Sequence, residues 1–116
     1  MDLNLGNNMN KIEKPWGWEE IVEKNDKYVV KKIFMAGGCQ CSFQYHERKI
    51  ETIIVLKGEL RIITDKTQLL LKPFEAAHIP TGIKHRMFGV TDCLYLECST
   101  PELDDVVRLE DDYDRA

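Results

Sequence analysis

No stretch of this sequence is apolar for anything near the roughly 20 residues that a helix needs to cross a bilayer. The first ten residues, Met1 to Asn10, lack the basic start and apolar middle of a secretory signal. The chain is therefore expected in the cytoplasm, away from membranes. Basic residues are not in excess: 16 Lys and Arg stand against 20 Asp and Glu, a formal net charge of −4, which argues against nucleic acid as a partner. There is no CxxC pair among Cys39, Cys41, Cys93 and Cys98, so no zinc ribbon is spelled out. In a reducing cytosol these thiols should stay free and pack as small apolar groups. An EF-hand calcium loop and a Gly-rich nucleotide loop are also missing. Before residue 101 nothing sustains a helical period.

What is present is strand after strand. WEEIVE (18–23) and KYVVKKIFM (27–35) flank the turn signal Asn25-Asp26, and CQCSFQYH (39–46) follows Gly37-Gly38. ETIIVLK (51–57) and ELRIIT (59–64) are separated by Gly58, and TQLLLK (67–72) comes after Asp65-Lys66. AAHIP, KHRMFGV and CLYLECS complete the series. Short β-rich segments punctuated every ~8–12 residues indicate an antiparallel sandwich or barrel. A chain of 116 residues encloses one core. Residues 1–13 read as a flexible arm and 14–116 as a single domain. The acidic tail, with seven Asp or Glu against one Arg from Glu102 to Asp114, is expected to add one or two helical turns. Its Leu103, Val106, Val107 and Leu109 would partly cover the barrel end.

The chain has only three histidines, His46, His78 and His85. Residues two apart on a strand share a face, so Gln44 and His46 project together, and Arg48 joins them if the strand stays regular. Glu51 starts the next strand after a bend and can face the same interior. Pro80 and Gly82 bend the chain just before His85, whereas His78 falls in a different strand.

Two stretches resemble the paired motifs of cupins: Gly38-CQCSF-Gln44-Y-His46-ERKI-Glu51-TIIVLK-Gly58, and Pro80-x-Gly82-x-x-His85. KPWGWEE (14–20), VVKKIFMAGG (29–38), SFQYHERKIE (42–51) and the tail 101–115 narrow the resemblance to mannose-6-phosphate isomerase-type cupins. They are also similar to the cupin domain that ends bifunctional mannose-1-phosphate guanylyltransferases. The resemblance implies an all-β jelly-roll barrel with four metal ligands, carried over by position to Gln44, His46, Glu51 and His85. Gln44 stands where a histidine is commoner, and Phe74 and Gly89 stand where the second motif has Gly and Asn. Two imidazoles, a carboxylate and an amide oxygen suit one divalent ion, Zn²⁺ first, with Fe²⁺, Mn²⁺ or Ni²⁺ also accommodated.

The implied activity is aldose–ketose isomerisation of a sugar phosphate in polysaccharide metabolism. A non-catalytic sugar- or nucleotide-sugar-binding cupin and an Fe²⁺ dioxygenase are the competing readings. For the isomerase, Arg48 is the expected phosphate anchor. Lys32 is the expected proton carrier, although the YVVKKIF run turns either Lys31 or Lys32 inward. Arg108 would pair with the surrounding acids or reach a substrate. Trp16 and Trp18 would share a face, and with Ile21 and Val22 they offer an apolar surface for a homodimer.

Overall fold

The computed structural model describes residues 11–113. It contains eleven strands: β1 (Ile12–Lys14), β2 (Gly17–Lys24), β3 (Val29–Met35), β4 (Phe43–Tyr45), β5 (Glu51–Lys57), β6 (Leu60–Thr64), β7 (Gln68–Leu71), β8 (Ala76–Ile79), β9 (His85–Gly89), β10 (Cys93–Ser99) and β11 (Val107–Glu110). They form two sheets, ordered β1-β2-β3-β10-β5-β8 and β11-β4-β9-β6-β7. All pairings are antiparallel. No helix long and apolar enough to cross a membrane occurs among the described residues.

Alternation along the strands decides which side chains meet between the sheets. In β5, Glu51, Ile53 and Val55 are buried while Thr52, Ile54 and Leu56 are only partly covered. In β3, Val29, Ile33 and Met35 are buried, and in β10, Cys93 and Tyr95. Leu60, Ile62, Leu71 and Met87 meet them from the second sheet. Each of these side chains contributes about 1.5–3 kcal/mol by leaving water. The inward set changes character along its length: Met35, Val55 and Tyr95 give way to Lys31, Glu51 and Glu97 on the same faces. One end of the barrel is an apolar core and the other a charged cavity.

Turn chemistry sets the strand spacing. Asn25 Oδ1 accepts from the backbone N–H groups of Lys27 and Tyr28 at 2.9 and 3.0 Å and closes the β2–β3 turn. Gly58 lies at φ +83° between β5 and β6, and a Cβ there would stand 2.1 Å from the Asp92 carbonyl oxygen. Only glycine fits.

Two expectations change at the ends. Residues 1–10 of the expected arm lie outside the described residues, but Ile12 and Glu13 belong to β1, which pairs with β2. The tail forms β11 in place of helical turns, because β4 leaves an open edge on which it pairs.

Candidate metal centre and its cavity

Three side chains converge at the charged end. His46 follows β4, Glu51 opens β5 and His85 opens β9, and all three are buried. Their ligand atoms lie within 4.8 Å of one another. His46 Nε2 is 3.3 Å and His85 Nε2 3.2 Å from Glu51 Oε1.

The far nitrogens fix the protons. His46 Nδ1 meets the Asp105 carbonyl oxygen at 2.5 Å, and His85 Nδ1 meets that of Ile83 at 2.8 Å. A carbonyl can only accept, so each Nδ1 carries the hydrogen, and in the neutral form of each ring Nε2 turns a lone pair toward Glu51. His46 Nε2, His85 Nε2 and Glu51 Oε2 are buried without a hydrogen bond. Converging lone pairs repel unless a cation sits among them. Two imidazoles and a carboxylate are a fitting donor set for Zn²⁺ or a related divalent ion.

Gln44 lines the same cavity. Its Oε1 accepts from Ser42 Oγ at 2.6 Å, which orients the amide and leaves a second lone pair. In register, Gln44 faces His85 on one side and Arg108 on the other. His78 is exposed on β8, away from the triad.

The loop after His46 wraps around one carboxylate. Asp105 accepts from the backbone N–H groups of Glu47, Arg48 and Lys49 at 3.0, 2.7 and 2.8 Å. Burial would raise the Asp105 carboxyl, but these three donors outweigh it and hold it at about 2. The wrap ends the strand at Tyr45 and breaks the alternation from which Arg48 was placed. Arg48 is exposed and Lys49 is buried instead.

Lys49 Nζ lies 3.5 Å from Glu51 Oε2 and 3.6 Å from Glu97 Oε2. Burial alone would lower its ammonium, but Glu97 and Glu51 reverse the direction and raise it. Burial would raise Glu51, yet the His46 and His85 rings against it and the nearby Lys49 ammonium hold it well below the usual carboxylate range. Burial and the neighbouring Glu51 charge push Glu97 up to about 7.

The lysine on β3 that faces the cavity is Lys31, which pairs with Glu19 at 3.2 Å. Lys32 points to the other face and sits 3.8 Å from Glu20. Parity with the buried Val29, Ile33 and Met35 was the available signal. The cavity has a volume of about 440 Å³, and Trp16 and Arg108 also line it. Trp18 instead lies on β2 and stacks on Phe34, whereas Trp16 sits in the turn before that strand. All four cysteines are free; Cys93 is buried, whereas Cys98 is exposed.

The family model "Mannose-6-phosphate isomerase C-terminal" matches residues 2–111. The chain belongs to that family. Similar curated proteins include the xanthan biosynthesis protein XanB of Xanthomonas campestris pv. campestris, 30% identical over 110 residues. The mannose-1-phosphate guanylyltransferase ManC of Salmonella typhimurium is 31% identical over 114 residues. Both alignments cover 90% of this chain but only 24% and 23% of those proteins, so the chain spans about a quarter of their length. Among solved structures, KdgF from Halomonas sp. superposes with a TM-score of 0.76 at 18% identity, over 83% of this chain and 91% of that one. An RmlC-like cupin from Shewanella frigidimarina gives 0.71 at 16%, over 79% and 83%. The fold of this family member is thus the cupin jelly roll.

Proposed function

We propose that this cupin is a metal-dependent sugar-phosphate isomerase that interconverts an aldose and a ketose phosphate, mannose 6-phosphate and fructose 6-phosphate first among them. The observation that carries the reading is the set of buried, converging lone pairs on His46, Glu51 and His85, opening on a cavity whose other polar groups can move protons. The family and its polysaccharide-related members support the substrate class.

His46, Glu51 and His85 would hold the ion, with the Gln44 amide oxygen as a fourth donor. When bound, a divalent ion polarises a carbonyl and offsets the charge that develops on its oxygen. The remaining work falls to side chains of this chain. Glu97 takes the proton from C2 of the sugar and returns it to C1. Lys49 Nζ, between the two carboxylates, passes the second proton from one hydroxyl oxygen to the other. The Asp105 carbonyl keeps the His46 ring in one tautomer and orientation.

Two measurements test this. Protein purified without chelator should contain about one equivalent of a divalent metal, and His46→Ala should lose it while remaining folded by circular dichroism. In D₂O, mannose 6-phosphate or fructose 6-phosphate should gain deuterium at C1 or C2 by proton NMR, and Glu97→Gln should slow this by ~10²-fold or more. A metal-loaded protein that exchanges no carbon-bound hydrogen would eliminate the isomerase, leaving a sugar-binding module.

A further inference from the structure

Four cationic side chains line the cavity: Lys14, Lys31, Lys49 and Arg108. Three are matched by acids. Lys14 and Lys31 both approach Glu19, and Lys49 lies between Glu51 and Glu97. Among the described residues, Arg108 has no acidic partner. Its Nε is buried with no hydrogen-bond partner. The nearby acids of the tail, Glu110 and Asp112, approach Arg86 instead, at 3.9 and 3.8 Å. A buried guanidinium nitrogen without an acceptor is costly, since the group offers donors only.

Its place in the sheet is also informative. Arg108 on β11, Gln44 on β4 and His85 on β9 stand opposite one another in register. Residues in such a row project to one face, here the interior. Neighbouring strands are ~4.8 Å apart, so the Arg108 backbone lies about 10 Å from that of His85. The triad thus has a polar amide beside it and an unmatched planar cation one strand further along. A sugar phosphate has the same sequence of groups, with a carbonyl at one end, hydroxyls between and a dianion at the other.

We propose that Arg108 is the anion-binding residue of the cavity and holds the phosphate of a sugar phosphate whose carbonyl end faces His46, Glu51 and His85. This rests on the sugar-phosphate reading given above. A guanidinium fork matches phosphate oxygens in pairs, which a lysine ammonium does not. Arg108 therefore takes the role that the sequence pattern gave to Arg48, whose side chain is exposed outside the cavity.

The test is binding to the metal-loaded, full-length chain, followed by calorimetry and by fluorescence of the cavity residue Trp16. The probes are mannose 6-phosphate, inorganic phosphate and mannose. Arg108→Gln should weaken both phosphate-bearing probes by ~10–100-fold, the loss expected for a charge-assisted pair. Metal content, melting temperature and mannose binding should be unchanged. Arg108→Lys, which keeps the charge and loses the fork, should fall between. Wild-type affinity for both phosphate probes in Arg108→Gln would overturn the assignment. So would an equal loss for mannose, which would mark a structural role, or a wild-type protein that binds neither phosphate probe. Solvent hydrogen exchange separates the two proposals. Exchange without phosphate dependence on Arg108 removes the anchor and keeps the isomerase, whereas Arg108-dependent phosphate binding without exchange does the reverse.

Discussion

Lys49 is the one cation between two buried carboxylates, and its removal gives a quantitative test of the charged end of the barrel. At an effective dielectric of about 20, a charge 3.5 or 3.6 Å from another is worth on the order of 4–5 kcal/mol. Most of that gain offsets the cost of taking the charges out of water. Lys49→Met preserves the stem but leaves Glu51 and Glu97 facing each other. Breaking a buried pair this way costs about 3–5 kcal/mol, or a fall in melting temperature on the order of 10–20 °C for a domain of this size.

The loss should depend on pH. Glu97 is raised from 4.5 to about 7 in the fold, so the folded chain holds a proton that the unfolded chain has released. Its contribution to stability therefore falls as pH rises from about 4.5 to about 7. Without Lys49 the Glu97 carboxyl rises further, and the variant should be penalised more at pH 8 than at pH 5. Lys49→Met/Glu97→Leu should recover much of the loss. Zn²⁺ should raise the melting temperature of Lys49→Met more than that of wild type, because it restores a cation beside Glu51. Thermal and urea melts in EDTA at pH 5 and 8, then with Zn²⁺, read all of this. A Lys49→Met loss under about 1 kcal/mol at pH 8, or one that ignores pH, would refute the reasoning.

Three further outcomes are expected. Asp105→Ala should free the 47–49 loop and weaken metal binding by ~10–100-fold in chelator competition. In wild type the Asp105 contribution is in place above about 3.8 and is lost as pH falls toward its folded value of about 2, so acid titration by NMR should show late protonation of that carboxyl. Gly58→Ala should cost about 1–2 kcal/mol for a left-handed backbone and more for contact with the Asp92 carbonyl, read as a lowered urea midpoint. Trp16 and Ile21 turn inward and are buried, so we propose a two-fold dimer that uses only the outer side of β2; light scattering at micromolar concentration that returns a monomer would end that proposal.

The strands and the triad were legible in the sequence because both depend on local signals. Period-two runs broken by Asn25-Asp26 or Gly58 give strands, and the resemblance of the two motifs to those of cupins marks His46, Glu51 and His85 as ligands. Other residues depend on longer-range geometry. Arg48 was misplaced because its alternation is broken by Asp105, a partner more than 50 residues away. The lysine on β3 was legible in principle, since Val29, Ile33 and Met35 fix its parity and select Lys31. The strand at Val107–Glu110 was not, because PELDDVVRLEDDY fits a helix as well as a strand, and only the open edge of β4 decides. Arg108 became a cavity residue with that strand.

The contacts of Asp105 also bear on the order in which the protein is made. His46 is tied to a carbonyl 59 residues further along the chain, and the loop that seats Lys49 is tied to the same aspartate. A ribosome delivers His46, Glu51 and His85 well before it delivers Asp105 and the strand that follows. Until then the His46 ring has no acceptor behind it, and the open edge of β4 has no cover. An ion that reaches the nascent chain early meets three loosely held donors. The affinity of the finished site is set only when Asp105 and the strand that follows it have cleared the exit tunnel.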